Sequence, residues 1–287
     1  MVRSVTDGFE EFLRRLTPTA AQRQAAGRHR EGVESALKSK LGLYRFFETG
    51  SFSHGTGIRN YSDVDALASI KGERPGSSDT GLRWVREALE QKYPYTTVKV
   101  RRPAVVIEFA GGDETWEVIP GFLTGRGGTT SVYDIPGPRG GWIDTAPDAH
   151  LAYANESNLQ PRRGCAKSLA RLLKAWKYYR NVPISSFYLE MRAAQHVRAQ
   201  QTYVHLFDLC ELLEDLHGHQ LAAMNDPKGL TGRFHPCSSD ANKRDALSKL
   251  DTAATRARKA LNAHLDDDPD DAFYYLDLLF GGKFPPR

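Results

Sequence analysis

Apolar residues recur at helical spacing near the start of the chain, at Phe9, Phe12, Leu13 and Leu16 and again at Val33, Leu37 and Leu41. Residues 8–47 therefore read as a helical lead-in, broken into two helices at Thr17-Pro18-Thr19. The period then changes. Residues 64–70 read as a short strand, 80–93 as an amphipathic helix and 96–101 as another strand. Two β-rich runs, 104–109 and 115–119, flank Gly111-Gly112-Asp113, a hairpin signal, and Pro120-Gly121 is read as closing the second run. Beyond residue 145 the spacing is almost wholly helical, with helices expected near 147–155, 164–180, 185–200, 203–217 and 240–264. Residues 125–141, rich in Gly and Pro, are the expected flexible connection between the halves. The expected class is α+β, with N-terminal helices and a mixed sheet over 1–145 and a helical lobe over 146–287.

Composition changes this picture little. The 287 residues are 40% hydrophobic and 26% charged, ordinary for a globular chain with a full core. No apolar run approaches the length of a membrane span, and the N-terminus MVRSVTDGFEEFLRRL lacks the apolar stretch of a signal peptide, so a cytoplasmic location and no membrane partner are expected. Cys165, Cys210 and Cys237 are odd in number and widely spaced, which argues for reduced, packed thiols. The net charge of +4 suits an anionic ligand without requiring long nucleic acid.

The chemistry concentrates in Gly50-Ser51, the turn-rich stretch after it, and Asp63-Val64-Asp65. In a strand Asp63 and Asp65 share one face while Val64 faces the core. Two parallel carboxylates repel unless a hard cation lies between them, which points to Mg²⁺ held by carboxylates and substrate phosphates. Gly50 permits close backbone approach and Ser51 offers a hydroxyl to a terminal phosphate. A two-metal centre needs a third acid, and Glu108 and Glu117, on the two β-rich runs, are both candidates. Asp113 and Glu114 read as turn residues. His54 lies in the same turn-rich stretch, where it could touch phosphate or serve packing.

Together, Gly-Ser, a short helix, and acid-apolar-acid resemble the polymerase-β superfamily, and more narrowly the cGAS/DncV-like nucleotidyltransferases of bacterial anti-phage signalling. The resemblance implies a polymerase-β-like core and a helical lobe with the active site in the cleft between them. It favours Glu117 as the third acid, because that position precedes two apolar residues and a proline; the family more often has Asp there. It also implies two Mg²⁺ ions, for which Mn²⁺ can substitute.

In the helical half, Leu169, Leu172, Leu173 and Trp176 form a core stripe, with Lys174 and Lys177 one turn apart and able to converge on one anion. The segment is similar to the family's triphosphate-facing lysine pair, with Lys177 preferred. Ser186, near a helix start, would contact the triphosphate, and Phe187 would either stack on a base or pack in the core. Asn158 is a candidate reader of base identity. Neither the paired histidines at 217 and 219 nor His235-Pro236-Cys237 has zinc-site spacing. Arg101-Arg102 and Arg162-Arg163 are the clearest basic doublets, too few for a long RNA.

The function implied is joining of nucleoside triphosphates, as donor and acceptor, into a cyclic di- or trinucleotide messenger with release of pyrophosphate. A linear oligonucleotide synthase, an RNA-tailing enzyme and a silent nucleotide-binding module are the alternatives. Family analogy adds a downstream effector that senses the product, and a regulatory protein or ligand as a further candidate partner. No zinc insertion of the DNA-gripping kind is present, so no DNA activator is expected.

Overall fold

The computed structural model describes the 287-residue chain except for residues 1–2, 21–23, 25–26, 62, 110–113 and 162. Helix α1 (Val5–Leu16) opens on a capping box: Ser4 Oγ accepts from the Asp7 N–H at 3.2 Å and the Asp7 carboxylate accepts from the Ser4 N–H at 3.0 Å. Helix α2 (Arg30–Leu41) stops at Gly42, whose φ of 65° a side chain would resist. Strand β1 (Leu43–Glu48) follows at once. The helical lead-in therefore ends at residue 41, not 47. Leu43-Tyr44-Arg45-Phe46-Phe47-Glu48 is aromatic-rich, and pairing with β2 decides its conformation over six residues too few to show a period.

After the short helix α3 (Gly50–His54) come β2 (Val64–Ile70), α4 (Ser78–Lys92), β3 (Thr97–Arg101), β4 (Ala104–Phe109) and β5 (Glu114–Thr124). The sheet order is β1-β2-β5-β4-β3, with only β2 and β5 parallel among these pairs. The Gly111-Gly112-Asp113 hairpin turn lies outside the described residues. Strand β5 does not close at Pro120-Gly121. It runs on beside β2, and the N–H that proline lacks is tolerated because pairing to β4 has already ended at Val118.

The stretch 125–141 is likewise more ordered than its composition suggests. Val132–Pro136 forms β6 against β5, and Trp142–Thr145 forms β7 against β6. The glycines serve the turn between them, where the Gly137 N–H donates to Gly141 O at 2.9 Å. Arg102 holds this turn to α4, donating to Gly137 O at 2.9 Å and to Ser78 Oγ at 3.1 Å.

Alternation sorts the two faces of the sheet. Val64, Ala66 and Ala68 of β2, and Trp116 and Val118 of β5, join one core with Val33 and Leu37 of α2 and Leu82, Val85 and Leu89 of α4. Asp65 and Glu117 consequently point to the other face. Glu114 is no turn residue: it begins β5, is buried, and accepts from Trp116 Nε1 at 2.9 Å with His29 Nδ1 at 3.0 Å.

The second half comprises α5 (Pro147–Ser157), α6 (Cys165–Tyr179), α7 (Ser186–Ala199), α8 (His205–Gly218), α9 (Asp240–Leu265) and α10 (Pro269–Leu279). The last was not anticipated, although Asp268 caps it and Pro269 stands at its first turn. These helices share a core with Val5, Phe9, Phe12 and Leu16 of α1 and with Phe280 and Phe284. Cys165 and Cys210 are buried and Cys237 is half-buried, all as free thiols. Among the described residues no helix is long and apolar enough to cross a membrane.

Candidate active site

Asp65 and Glu117 are direct partners in the register of the parallel β2–β5 pair, so their side chains leave the sheet side by side. Asp63 immediately precedes β2 on the same parity. Glu108 lies one strand farther out on β4, where Lys99 of β3 pairs with it. Arg101, at the end of β3, pairs with Glu117 and reaches Asp63 at 3.3 Å.

Helix α3 brings its first turn against this group. The Ser51 backbone N–H donates to the Asp65 carboxylate, and Thr49 N–H donates to the Asp65 carbonyl at 2.8 Å. Gly50 makes that approach possible. Its φ is 60°, and a Cβ there would lie 2.0 Å from Asp65 Oδ2 and 2.9 Å from Asp65 Cβ. Burial pushes the Asp65 carboxyl up to about 7; Lys174 opposes the rise while Glu190 and Asp63 add to it. Burial also raises Asp63, against the pull of Arg101.

Across from the acids stands a polar pair from the helical half. Ser185 is the N-cap of α7, accepting from the Tyr188 N–H at 3.2 Å, which leaves Ser186 to meet Lys177 of α6 at 2.6 Å. Tyr178 places its hydroxyl 3.4 Å from Ser186 Oγ, and Tyr61 stacks on Tyr178 at 5.1 Å. Burial lowers the Lys177 ammonium to about 8, with Lys174 adding to the effect.

Lys174 itself is fully buried and does not join Lys177 at the surface. Its Nζ donates to Glu190 Oε1 at 2.8 Å, Thr56 Oγ1 donates to the same oxygen at 2.6 Å, and His54 Nδ1 meets Glu190 Oε2 at 2.8 Å. All four residues are buried. Against the burial that would raise it, Lys174 and His54 hold the Glu190 carboxyl far below the usual carboxylate range. His54, one of two readings in the sequence, thus serves packing. The network joins the segment after Ser51 to α6 and α7.

The two candidate base contacts, Phe187 and Asn158, each have protein partners. Phe187 packs on His150 (ring centroids 5.4 Å apart) and on Phe234 (4.8 Å), with the helical core behind it. Asn158 Oδ1 accepts from the backbone N–H of Lys167, holding the loop before α6. Ser62 and Arg162 lie outside the described residues. Sequence reasoning missed Glu190 and Thr56 and read Arg101 only as part of a basic doublet. A signal for the buried pair existed: Lys174 in Leu-Leu-Lys-Ala-Trp and Glu190 in Tyr-Leu-Glu-Met are lone opposite charges inside apolar runs.

The donor set fits a hard divalent cation: the three acids offer only oxygens, and a guanidinium already supplies positive charge between Asp63 and Glu117. Among the described residues no three acidic, histidine or cysteine side chains are yet drawn together closely enough to hold an ion.

The fold has solved counterparts. The chain is similar to CdnC of E. coli MS115-1, whose structure contains ATP, with a TM-score of 0.77 and 16% identity over 98% of each chain. CdnC in complex with HORMA-deltaN gives a TM-score of 0.75 and 15% identity, over 98% of each chain. DncV of Vibrio cholerae, a cyclic AMP-GMP synthase with a linear intermediate bound, gives 0.66 and 15%, over 98% of this chain and 87% of DncV. No curated protein matches in sequence. Residues 3–158, more than half of the chain and the part that carries Ser51, Asp63, Asp65 and Glu117, match the Second Messenger Oligonucleotide or Dinucleotide Synthetase domain. The α+β architecture and the acid-bearing sheet face thus come with a family assignment: the chain belongs to the Second Messenger Oligonucleotide or Dinucleotide Synthetases, which are nucleotidyltransferases.

Proposed function

We propose that this protein joins nucleoside triphosphates through phosphodiester bonds, releasing pyrophosphate, to make a cyclic di- or trinucleotide messenger for anti-phage defence. The observation that carries the reading is the side-by-side placement of Asp65 and Glu117, with the Ser51 turn beside them and the Lys177–Ser186 pair contributed by the helical half. Asp63, Asp65 and Glu117 would hold Mg²⁺. When bound, Mg²⁺ supplies Lewis-acid polarisation of the phosphoryl group and lowers the pKa of the attacking hydroxyl.

The chain's own residues do the positioning. Ser51 and Ser186 offer hydroxyls to the triphosphate, and Lys177 offers an ammonium that meets the charge of the departing pyrophosphate. Lys174 acts through its field on Asp65 and through the fixed position of its network. The HORMA complex of the similar CdnC supports a regulatory protein as a partner of this chain too.

The test is incubation with each labelled NTP, singly and in pairs, with Mg²⁺ or Mn²⁺, followed by phosphatase and mass spectrometry. A phosphatase-resistant product is expected. Linear, phosphatase-sensitive products alone would replace the reading with an oligonucleotide synthase, and absence of turnover even with a partner protein would favour a silent module.

Lys177 gives this reading a pH signature. Because its ammonium is already lowered to about 8, binding of a non-hydrolysable NTP analogue should weaken as pH rises above that value, by at most about tenfold per pH unit for one proton. Binding in that range should take up a proton, measurable by calorimetry in buffers of different ionisation enthalpy. Lys177→Arg should abolish the limb; a pH-independent affinity in the unaltered protein would remove Lys177 from the triphosphate site.

A further inference from the structure

Strand β3 reads Thr97-Val98-Lys99-Val100-Arg101, which puts two cations on one face of an edge strand. The register carries that face across the sheet: Lys99 is opposite Val106, Val106 opposite Glu117, and Glu117 opposite Asp65. The acids and the two β3 cations therefore share one surface. The cations divide the acids between them. Lys99 takes Glu108, on the adjacent strand, while Arg101 reaches past β4 to pair with Glu117 of β5 and with Asp63, 3.3 Å away at the start of β2.

An exposed arginine pairing with one acid would be unremarked surface chemistry, worth little. Arg101 instead bridges two carboxylates from separate elements, and they are two of the three acids that the proposed function assigns to the metal. Without a counter-charge Asp63 and Glu117 would repel each other beside half-buried Asp65. A guanidinium, planar and permanently charged, can serve two carboxylates at once, which a lysine does less well.

We propose that Arg101 is a positioning residue of the acidic centre: its guanidinium holds Asp63 and Glu117 at one place before a divalent cation enters, and the entering cation displaces it. The inference rests on the reading of Asp63, Asp65 and Glu117 as metal ligands. Its magnitude follows from exposure. The Arg101 side chain is 57% exposed, so its hold is weak enough to be displaced and strong enough to compete measurably.

The experiment titrates Mn²⁺ into nucleotide-free protein, following free Mn²⁺ by electron paramagnetic resonance, for the unaltered chain, Arg101→Gln, Lys99→Gln and Asp65→Asn. Thermal melts with and without Mn²⁺ accompany each titration. Arg101→Gln should bind Mn²⁺ roughly two- to fivefold more tightly than the unaltered protein at low ionic strength. It should also melt lower without metal and gain more from added Mn²⁺. Lys99→Gln, which removes the same charge two residues away, should change Mn²⁺ affinity much less. Equal tightening in both variants would reduce Arg101 to its distant charge and overturn the inference. So would unchanged or weaker binding in Arg101→Gln when the unaltered protein binds Mn²⁺ and Asp65→Asn does not, an outcome that leaves the metal reading intact. Absence of Mn²⁺ binding in every protein would overturn both.

Discussion

Asp65→Asn is expected to lower kcat/KM for nucleotide joining by at least about 10²- to 10³-fold, the scale on which loss of one preorganised charge-stabilising group acts, while leaving the melting temperature of the metal-free protein unchanged or higher. Asparagine has nearly the shape of aspartate and its side-chain oxygen can still accept from the Ser51 N–H. What it lacks is the charge. In the folded chain loss of solvation raises the carboxyl to about 7, opposed by Lys174 and increased by Glu190 and Asp63, so removal of the charge relieves an unfavourable burial. A group that costs stability beside the Gly50-Ser51 turn fits a trade of stability for the proposed function. Steady-state kinetics and thermal melts on the same preparations decide it. Near-normal turnover would remove Asp65 from the chemistry, and loss of activity only alongside a collapsed melting temperature would make it a folding residue.

Glu190→Ala should have the largest effect on stability. It strips the carboxylate partner from a fully buried ammonium, and Thr56 and His54 lose their acceptor in the same step. Breaking a buried pair on one side costs about 3–5 kcal/mol, which for a chain of this size corresponds to a fall of roughly 5–8 °C in melting temperature. The double change Glu190→Met with Lys174→Met should recover much of the loss, since it leaves no uncompensated buried charge from the pair. If Glu190→Ala melts within a degree or two of the unaltered protein, the network is not closed in solution. If the double change is worse than the single, the penalty lies in packing and not in the stranded charge.

What could be read from the sequence was what is local. The shared face of the acid pair and the close approach at Gly50-Ser51 can be read within a few residues, because alternation on a strand fixes relative direction, whereas Lys177 and Ser186 were singled out by resemblance to a family. The strand β1 was not legible, since Leu43 to Glu48 shows a regular period for neither helix nor strand and owes its form to β2. Residues 125–141 misled in the opposite sense: their glycines mark real turns, but Val132-Tyr133-Asp134-Ile135 between them is rich enough in β-branched and aromatic residues to pair with β5. The Lys174–Glu190 pair left a trace as lone charges in apolar runs, but the place of His54 beside it was out of reach, because His54 and Glu190 are 136 positions apart and only the fold says that they meet. Phe187 shows the same limit, as the rings it packs on come from α5 and from the segment before α9.

The packing of α1 bears on how the molecule is made. Phe12 lies 4.6 Å from Phe280 and 5.2 Å from Phe284, ring to ring, and Phe9 meets Phe284 at 5.2 Å. These rings complete the core that also holds α6 and α7, and hence Lys177 and Ser186. The apolar face of α1 is therefore fully covered only after the segment that carries Phe280 and Phe284 has been made, although α6 can cover part of it earlier. The sheet pairs residues between 43 and 145 and can assemble before that segment exists. The scaffold behind Lys177 and Ser186 is completed only with it, so the two sides of the site mature in the order in which they are translated.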